Sequence, residues 1–279
     1  MIIDFHTHIF SPDIQNKRDR YIEEDPCFRL LYSNPKAKLV TADDIIASMD
    51  EQHIDISIIL NIGWTKHELC VLSNDYILES AAQHPKRLIG FCAVQPLAGD
   101  CALREIERCA ASGARGIGEI RPDIQGYSLS DSSLMKPVVD MLIEKRMIML
   151  THASEPVGHD YAGKGSITPD AIYPFIIEHP GLSIVCAHWG GGLPFYALMP
   201  EVFAAFTNTY FDTAASPFLY KPSIFKHMAD IIGSDHILFG TDFPLMPQRR
   251  VINQINASGL SEKETGEICE LNAKKLLGL

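Results

Sequence analysis

The sequence lacks the features that mark several large protein classes. Its seven cysteines, Cys27, Cys70, Cys92, Cys101, Cys109, Cys186 and Cys269, are odd in number and form no CxxC pair. That argues against both a disulfide framework and a thiolate zinc cluster. Lysine and arginine total 24 against 35 aspartate and glutamate, a formal charge of -11. The excess of basic residues that neutralises phosphates is missing, which disfavours nucleic acid as a partner, and a small-molecule substrate is expected. No apolar run approaches the length of a bilayer span, and no basic and apolar leader precedes Asp4. A membrane is excluded in turn, and a cytoplasmic protein is expected. No glycine-rich nucleotide turn follows the first apolar run, and there is no internal repeat or low-complexity tract.

What is present is regular. The 279 residues are 46% hydrophobic, enough to fill one large core. Strand-length apolar runs at residues 1–6, 55–61, 88–94, 114–120, 147–152, 182–188, 209–213 and 237–242 alternate with amphipathic helical stretches. Helix starts are marked by Thr41 ahead of Asp43 and Asp44, by Thr168 before Pro169, and by Ser261 with Glu264 three residues later. Eight strand and helix alternations without a linker predict an α/β fold, a (β/α)8 barrel occupying 1–279 as one domain. An open doubly wound sheet is the structural alternative. Two segments interrupt the pattern. Residues 9–40 are too long for an ordinary loop and are expected to form a lid or a homodimer surface, and 153–167 form a second long, glycine-rich loop.

The polar residues at the strand ends carry the chemistry. His6 and His8, two apart on an extended strand, point to one face, with Asp4 beneath them and Phe5 and Thr7 on the other. Glu119, His152, His188 and Asp242 end the fourth, fifth, sixth and eighth runs. Buried in a barrel without partners, such groups cost several kcal/mol each, and a divalent cation satisfies them together. Imidazole and carboxylate donors suit Zn²⁺, with Mn²⁺ or another transition ion as alternatives, as one ion or two. The remaining histidines fall elsewhere. His84, His179 and His236 lie where helices give way to strands, and His53 and His227 lie on helices, so no catalytic role is expected for them. Substrate-facing candidates are Arg121, Trp64, His159 and Phe243, with Lys66, Lys164, Arg249 and Arg250 on the rim. The run Gly190, Gly191, Gly192 is read as allowing the chain to pass tightly by His188 rather than as an anion site.

These motifs, DFHTH at 4–8, Thr151-His152, AHWGGGLPF at 187–195 and FGTDFP at 239–244, resemble the amidohydrolase superfamily. Within it they are similar to the amidohydrolase-2 branch that includes aminocarboxymuconate-semialdehyde decarboxylase. The resemblance implies a metallo-dependent barrel in which His6, His8, His152 and Asp242 hold the metal and His188 is a ligand or a catalytic group. Glu119, within GIGEIRPD, departs from the decarboxylase pattern and is similar to the strand-four glutamate of TatD-type barrels, where it joins the metal centre. An ion pair with Arg121 is the plainer role for it. From the ligand set, the expected activity is hydrolysis of an amide, lactone or ester in a small carboxylate-bearing molecule, with Asp242 as proton shuttle and His188 orienting the substrate oxygen. Non-oxidative decarboxylation on the same scaffold is the alternative, and TatD-like phosphodiester cleavage is third.

Overall fold

The computed structural model describes residues 1–279. Eight strands, β1 (Ile3–His8), β2 (Ile56–Leu60), β3 (Leu88–Cys92), β4 (Gly116–Ile120), β5 (Ile148–Thr151), β6 (Ile184–Cys186), β7 (Thr209–Asp212) and β8 (Ile237–Leu238), pair in sequence order. Every pair is parallel, which the intervening helices allow. Backbone bonds complete the circle: Phe5 N–H donates to the Phe239 carbonyl at 2.7 Å, Asp242 N–H to that of His6 at 2.8 Å, and His8 N–H to that of Phe243 at 2.7 Å. The result is a (β/α)8 barrel rather than an open sheet.

Burial follows from the strand pattern. One apolar cluster joins Ile3, Phe5, Ile58, Leu60, Phe91, Ile148, Leu150, Val185 and Leu238 to Ala273 and Leu277 of the final helix, filling the barrel. A larger cluster joins strand residues such as Ile59, Ile117 and Met149 to helix residues such as Ile45, Ile77 and Ile106, the layer between sheet and helices. Strict alternation fails along β1, because Phe5 belongs to the barrel filling although His6 and His8 enter the site. The β1–β2 register shifts between Asp4 and Thr7, and there the alternation breaks.

Helix starts behave as their chemistry requires. Thr41 and Ser261 each form a reciprocal capping box, with Asp44 and Glu264. Thr168 is an N-cap without a side-chain cap bond; its hydroxyl donates to Asp170. Residues 9–40 are not an irregular loop but contain three short helices, Pro12–Asn16, Arg18–Glu24 and Pro26–Tyr32. Buried Asp25 caps the third through Cys27 and Phe28 N–H and accepts from Thr65 N–H and Oγ1, anchoring the insert to the end of β2. All seven cysteines are free and six are buried. No helix is long and apolar enough to cross a membrane.

β6 and β8 stop well short of their apolar runs, and positive φ follows each. After β6, residues His188, Trp189, Gly190, Gly191 and Gly192 all adopt positive φ, turning the chain sharply. A Cβ at Gly191 would meet the Ser154 carbonyl oxygen at 2.3 Å, so the glycine run serves close passage. Asp242, after β8, also has positive φ, at 64°.

Candidate metal centre and substrate pocket

Six imidazole and carboxylate groups from five strand ends converge above the barrel filling. His6 and His8 bring their Nε2 atoms to 3.0 Å of each other. Glu119 Oε2 lies 3.9 Å from His6 Nε2 and 3.8 Å from His8 Nε2, and Asp242 Oδ1 lies 3.9 and 3.2 Å from the same atoms. Ligands held about 2.1 Å from one ion lie roughly 3–3.5 Å apart, so the His6–His8 and His8–Asp242 separations match a coordination shell and the other three are a few tenths of an ångström wider. The other Glu119 oxygen faces a second group: Oε1 is 2.8 Å from His152 Nδ1 and 3.4 Å from His188 Nε2. Glu119 is thus shared by two donor sets, His6, His8 and Glu119, and Glu119, His152 and His188. It forms no ion pair with Arg121, correcting the plainer reading of that dyad.

Electrostatics favour positive charge here. Burial opposes protonation of His6, but Asp212, Glu119 and Asp242 push its pKa up to about 10. The cluster therefore attracts a cation, whether a proton or a metal ion. Burial would raise the Glu119 carboxyl, yet His152, His188 and His6 hold it well below the usual range. Asp242 is likewise held low, against burial, by His8, His6 and His188. Burial and the nearby Arg121 charge press His152 down to about 4, keeping the imidazole neutral as a metal ligand must be. His188 is pushed up to about 9, against burial, by Glu119.

Supporting residues fix these rings. Asp212 Oδ2 accepts from His6 Nδ1 at 2.8 Å, which leaves Nε2 free to coordinate a cation. Asp212 Oδ1 accepts from His188 N–H and Ala214 N–H, so one carboxylate braces β1 and the turn after β6. His188 Nδ1 donates to the Ala214 carbonyl, and His152 Nε2 faces Ser154 Oγ at 3.0 Å. Asp4 accepts from Thr241 N–H and Oγ1 and from Gln248, tying β1 to the segment that carries Asp242; burial raises its pKa to about 6. Asp212, the last residue of β7, is not among the residues expected in the site, although it stands at a strand end as they do.

A cavity of about 370 Å³ opens onto the cluster, within the range of small-molecule sites. His8, Glu119, His152, His188 and Asp242 form its polar end, and Arg121 and His159 also line it. Its apolar wall includes Leu31, Tyr32, Ile62, Phe218, Leu219 and Leu245. Trp64 does not reach it, contrary to expectation. The insert covers Trp64 completely: its ring stacks on Phe28 at 5.3 Å, and Nε1 donates to Asn61. Phe243 is turned toward the main core, and the following Pro244 and Leu245 take its place on the wall. Lys66 pairs with Glu24, Lys164 donates to the carbonyls of 157–159, Arg249 donates to Gln52, and Arg250 lies over Phe218. None of these four lines the cavity, whereas Lys38 does. The histidines set aside on sequence grounds, His53, His84, His179, His227 and His236, are also absent from its lining.

Comparison with known proteins agrees with this architecture. The model of the family described as amidohydrolase matches residues 3–279. The 2-amino-3-carboxymuconate-6-semialdehyde decarboxylase of Dictyostelium discoideum is 23% identical over 99% of this chain and 91% of its own length. The γ-resorcylate decarboxylase of Rhodococcus jostii is 23% identical over 88% of this chain and 90% of its own. Among solved structures, 5-carboxyvanillate decarboxylase from Novosphingobium aromaticivorans, complexed with manganese and 4-hydroxy-3-methoxy-5-nitrobenzoic acid, superposes with a TM-score of 0.81 at 20% identity, covering 100% of this chain and 96% of that one.

Proposed function

Because the chain belongs to the amidohydrolase family, we propose that it is a metal-dependent, non-oxidative decarboxylase of a small carboxylic acid. The observation that carries this reading is that curated relatives matching 99% and 88% of the chain are decarboxylases. Hydrolysis, the reading favoured by the ligand set alone, has no such support and becomes the second reading. Glu119 is the observation in its favour, since a carboxylate shared by two donor sets suits a pair of ions and an activated water.

His6 Nε2, His8 Nε2, Glu119 Oε2 and Asp242 Oδ1 would hold a divalent cation, and manganese and zinc both suit these donors. Bound there, the cation would supply Lewis acidity toward a substrate oxygen. Asp242 is the proton carrier. Its Oδ1 faces His8, while its side chain, 14% exposed against 0% for His6, reaches the cavity. Ionised at rest, it takes an acidic proton from the bound substrate and returns it to the carbon that bears the carboxylate. The bond from that carbon to the carboxylate then breaks, its electron pair staying with the ring or conjugated system, and CO₂ leaves. His188 lines the cavity with its Nδ1 fixed on the Ala214 carbonyl and its Nε2 3.4 Å from Glu119 Oε1, and donates from Nε2 to a substrate oxygen as charge develops there. The insert at 9–40 acts as a lid in this reading, since Leu31, Tyr32 and Lys38 form part of the cavity wall.

The test is a panel of aromatic and conjugated carboxylic acids, esters, lactones and amides incubated with protein loaded with Mn²⁺ or Zn²⁺. Release of CO₂ from an acid, with the decarboxylated compound formed in equal amount, is expected. Hydrolysis of an ester, lactone or amide with no CO₂ from any acid would restore the hydrolase reading.

A further inference from the structure

Arg121 is a buried cation without an adequate partner. Its side chain is 1% exposed, yet its one acidic contact is Nη2 to Asp123 Oδ2 at 3.4 Å. Its Nε is buried and has no hydrogen-bond partner at all. A guanidinium offers five N–H donors, and leaving them unsatisfied in a buried site is costly. Asp123 meets only Nη2, through an Oδ2 that also accepts from Ser166 N–H, and its Oδ1 makes no hydrogen bond, to Arg121 or to any other group. The surroundings hold the group in place. A Cβ at Gly165 would fall 2.6 Å from Arg121 Nη2, so the loop at 153–167 closes directly over it because that residue has no side chain. The Arg121 backbone N–H is fixed by Gln125 Oε1. The side chain lines the cavity beside Glu119 and His152 but pairs with neither.

We propose that Arg121 is the specificity-determining residue for a carboxylate: its free guanidinium edge receives the carboxylate of a small acid whose apolar body lies against Leu31, Tyr32, Ile62, Phe218 and Leu245. A planar fork of donors matches a carboxylate in two parallel bonds, and a cation held at the polar end of an apolar cavity selects acids over their neutral analogues. The proposal deepens the decarboxylase reading and rests on it for the reaction, but recognition of the acid is separable from turnover.

The experiment compares binding of salicylate and salicylamide by calorimetry to wild type, Arg121→Gln and Arg121→Lys, each loaded with Mn²⁺ and checked for metal content and near-ultraviolet circular dichroism. Wild type should bind the acid more tightly than the amide. Arg121→Gln should lose about 10–100-fold in affinity for the acid with little change for the amide, and Arg121→Lys should fall between. Should Arg121→Gln fail to fold, Arg121→Lys carries the test: a loss of several-fold for the acid alone is expected, because an ammonium cannot make the paired bonds. Acid affinity unchanged in the folded variants would overturn the proposal, and CO₂ release by wild type would then leave the decarboxylase reading standing. Loss of acid affinity in Arg121→Gln together with hydrolysis but no CO₂ release by wild type would uphold the role of Arg121 and overturn the reaction assignment instead.

Discussion

Asp212 Oδ2 accepts a 2.8 Å hydrogen bond from His6 Nδ1, with both side chains fully buried. This bond sets the tautomer of His6 and aims Nε2 at His8, Glu119 and Asp242. Asp212→Asn keeps the volume and removes the charge that orients the ring. The expected result is a 10–100-fold loss of affinity for Mn²⁺ or Zn²⁺, in line with the effect of removing such partners elsewhere. Titration of chelator-treated protein checks it, and activity should return in part when the ion is supplied in excess.

Glu119 is the carboxylate common to both donor sets. Glu119→Gln should lower metal affinity by about tenfold or more, because a neutral amide replaces a charged donor. Measuring metal content by mass spectrometry after dialysis against a fixed free-ion level reads this directly. Retention of wild-type metal content would show that Glu119 only positions His152 and His188.

Trp64 illustrates the opposite case, an aromatic residue that looks like a pocket wall in the sequence and is a core residue in the fold. Trp64→Phe removes the bond to Asn61 and some of the stacking on Phe28. A stability loss of about 1–2 kcal/mol in urea unfolding is expected. KM for any substrate found should stay at the wild-type value.

How legible the molecule was in its sequence depends on how local the signal is. The eight strands follow from short apolar runs, and the capping boxes at Thr41 and Ser261 follow from four-residue patterns. The candidate ligands are legible because each stands at a strand end, where a barrel gathers side chains from distant parts of the chain. Trp64 and Phe243 lie outside the cavity because what covers a side chain depends on tertiary packing, and the insert over Trp64 folds into three helices that no local periodicity marks. Asp212 was passed over because it supports a ring on another strand, 206 residues away. The positive φ at His188 and Asp242 also has no pattern that local periodicity could show.

Glu264 gives an acid-dependent stability prediction away from the site. The Ser261 N–H, Lys226 and the Ser261 hydroxyl hold its carboxyl down to about 2. A folded-state pKa below the unfolded one, about 4.3, stabilises the fold above that value, and the contribution is lost as pH falls through the folded pKa. Glu264→Gln should therefore melt at a lower temperature than wild type at pH 7. The difference should shrink between about pH 4 and pH 2, as followed by circular dichroism at a series of pH values.

The most direct test is a titration of Mn²⁺ into chelator-treated protein, with turnover of a carboxyl-¹³C-labelled acid followed as ¹³CO₂ in wild type and Asp242→Asn. The account predicts that ¹³CO₂ release rises in proportion to ion bound, reaches one CO₂ per product molecule, and is lost in Asp242→Asn. Release of ¹³CO₂ at the full rate before any ion is added, or undiminished in Asp242→Asn, would contradict it.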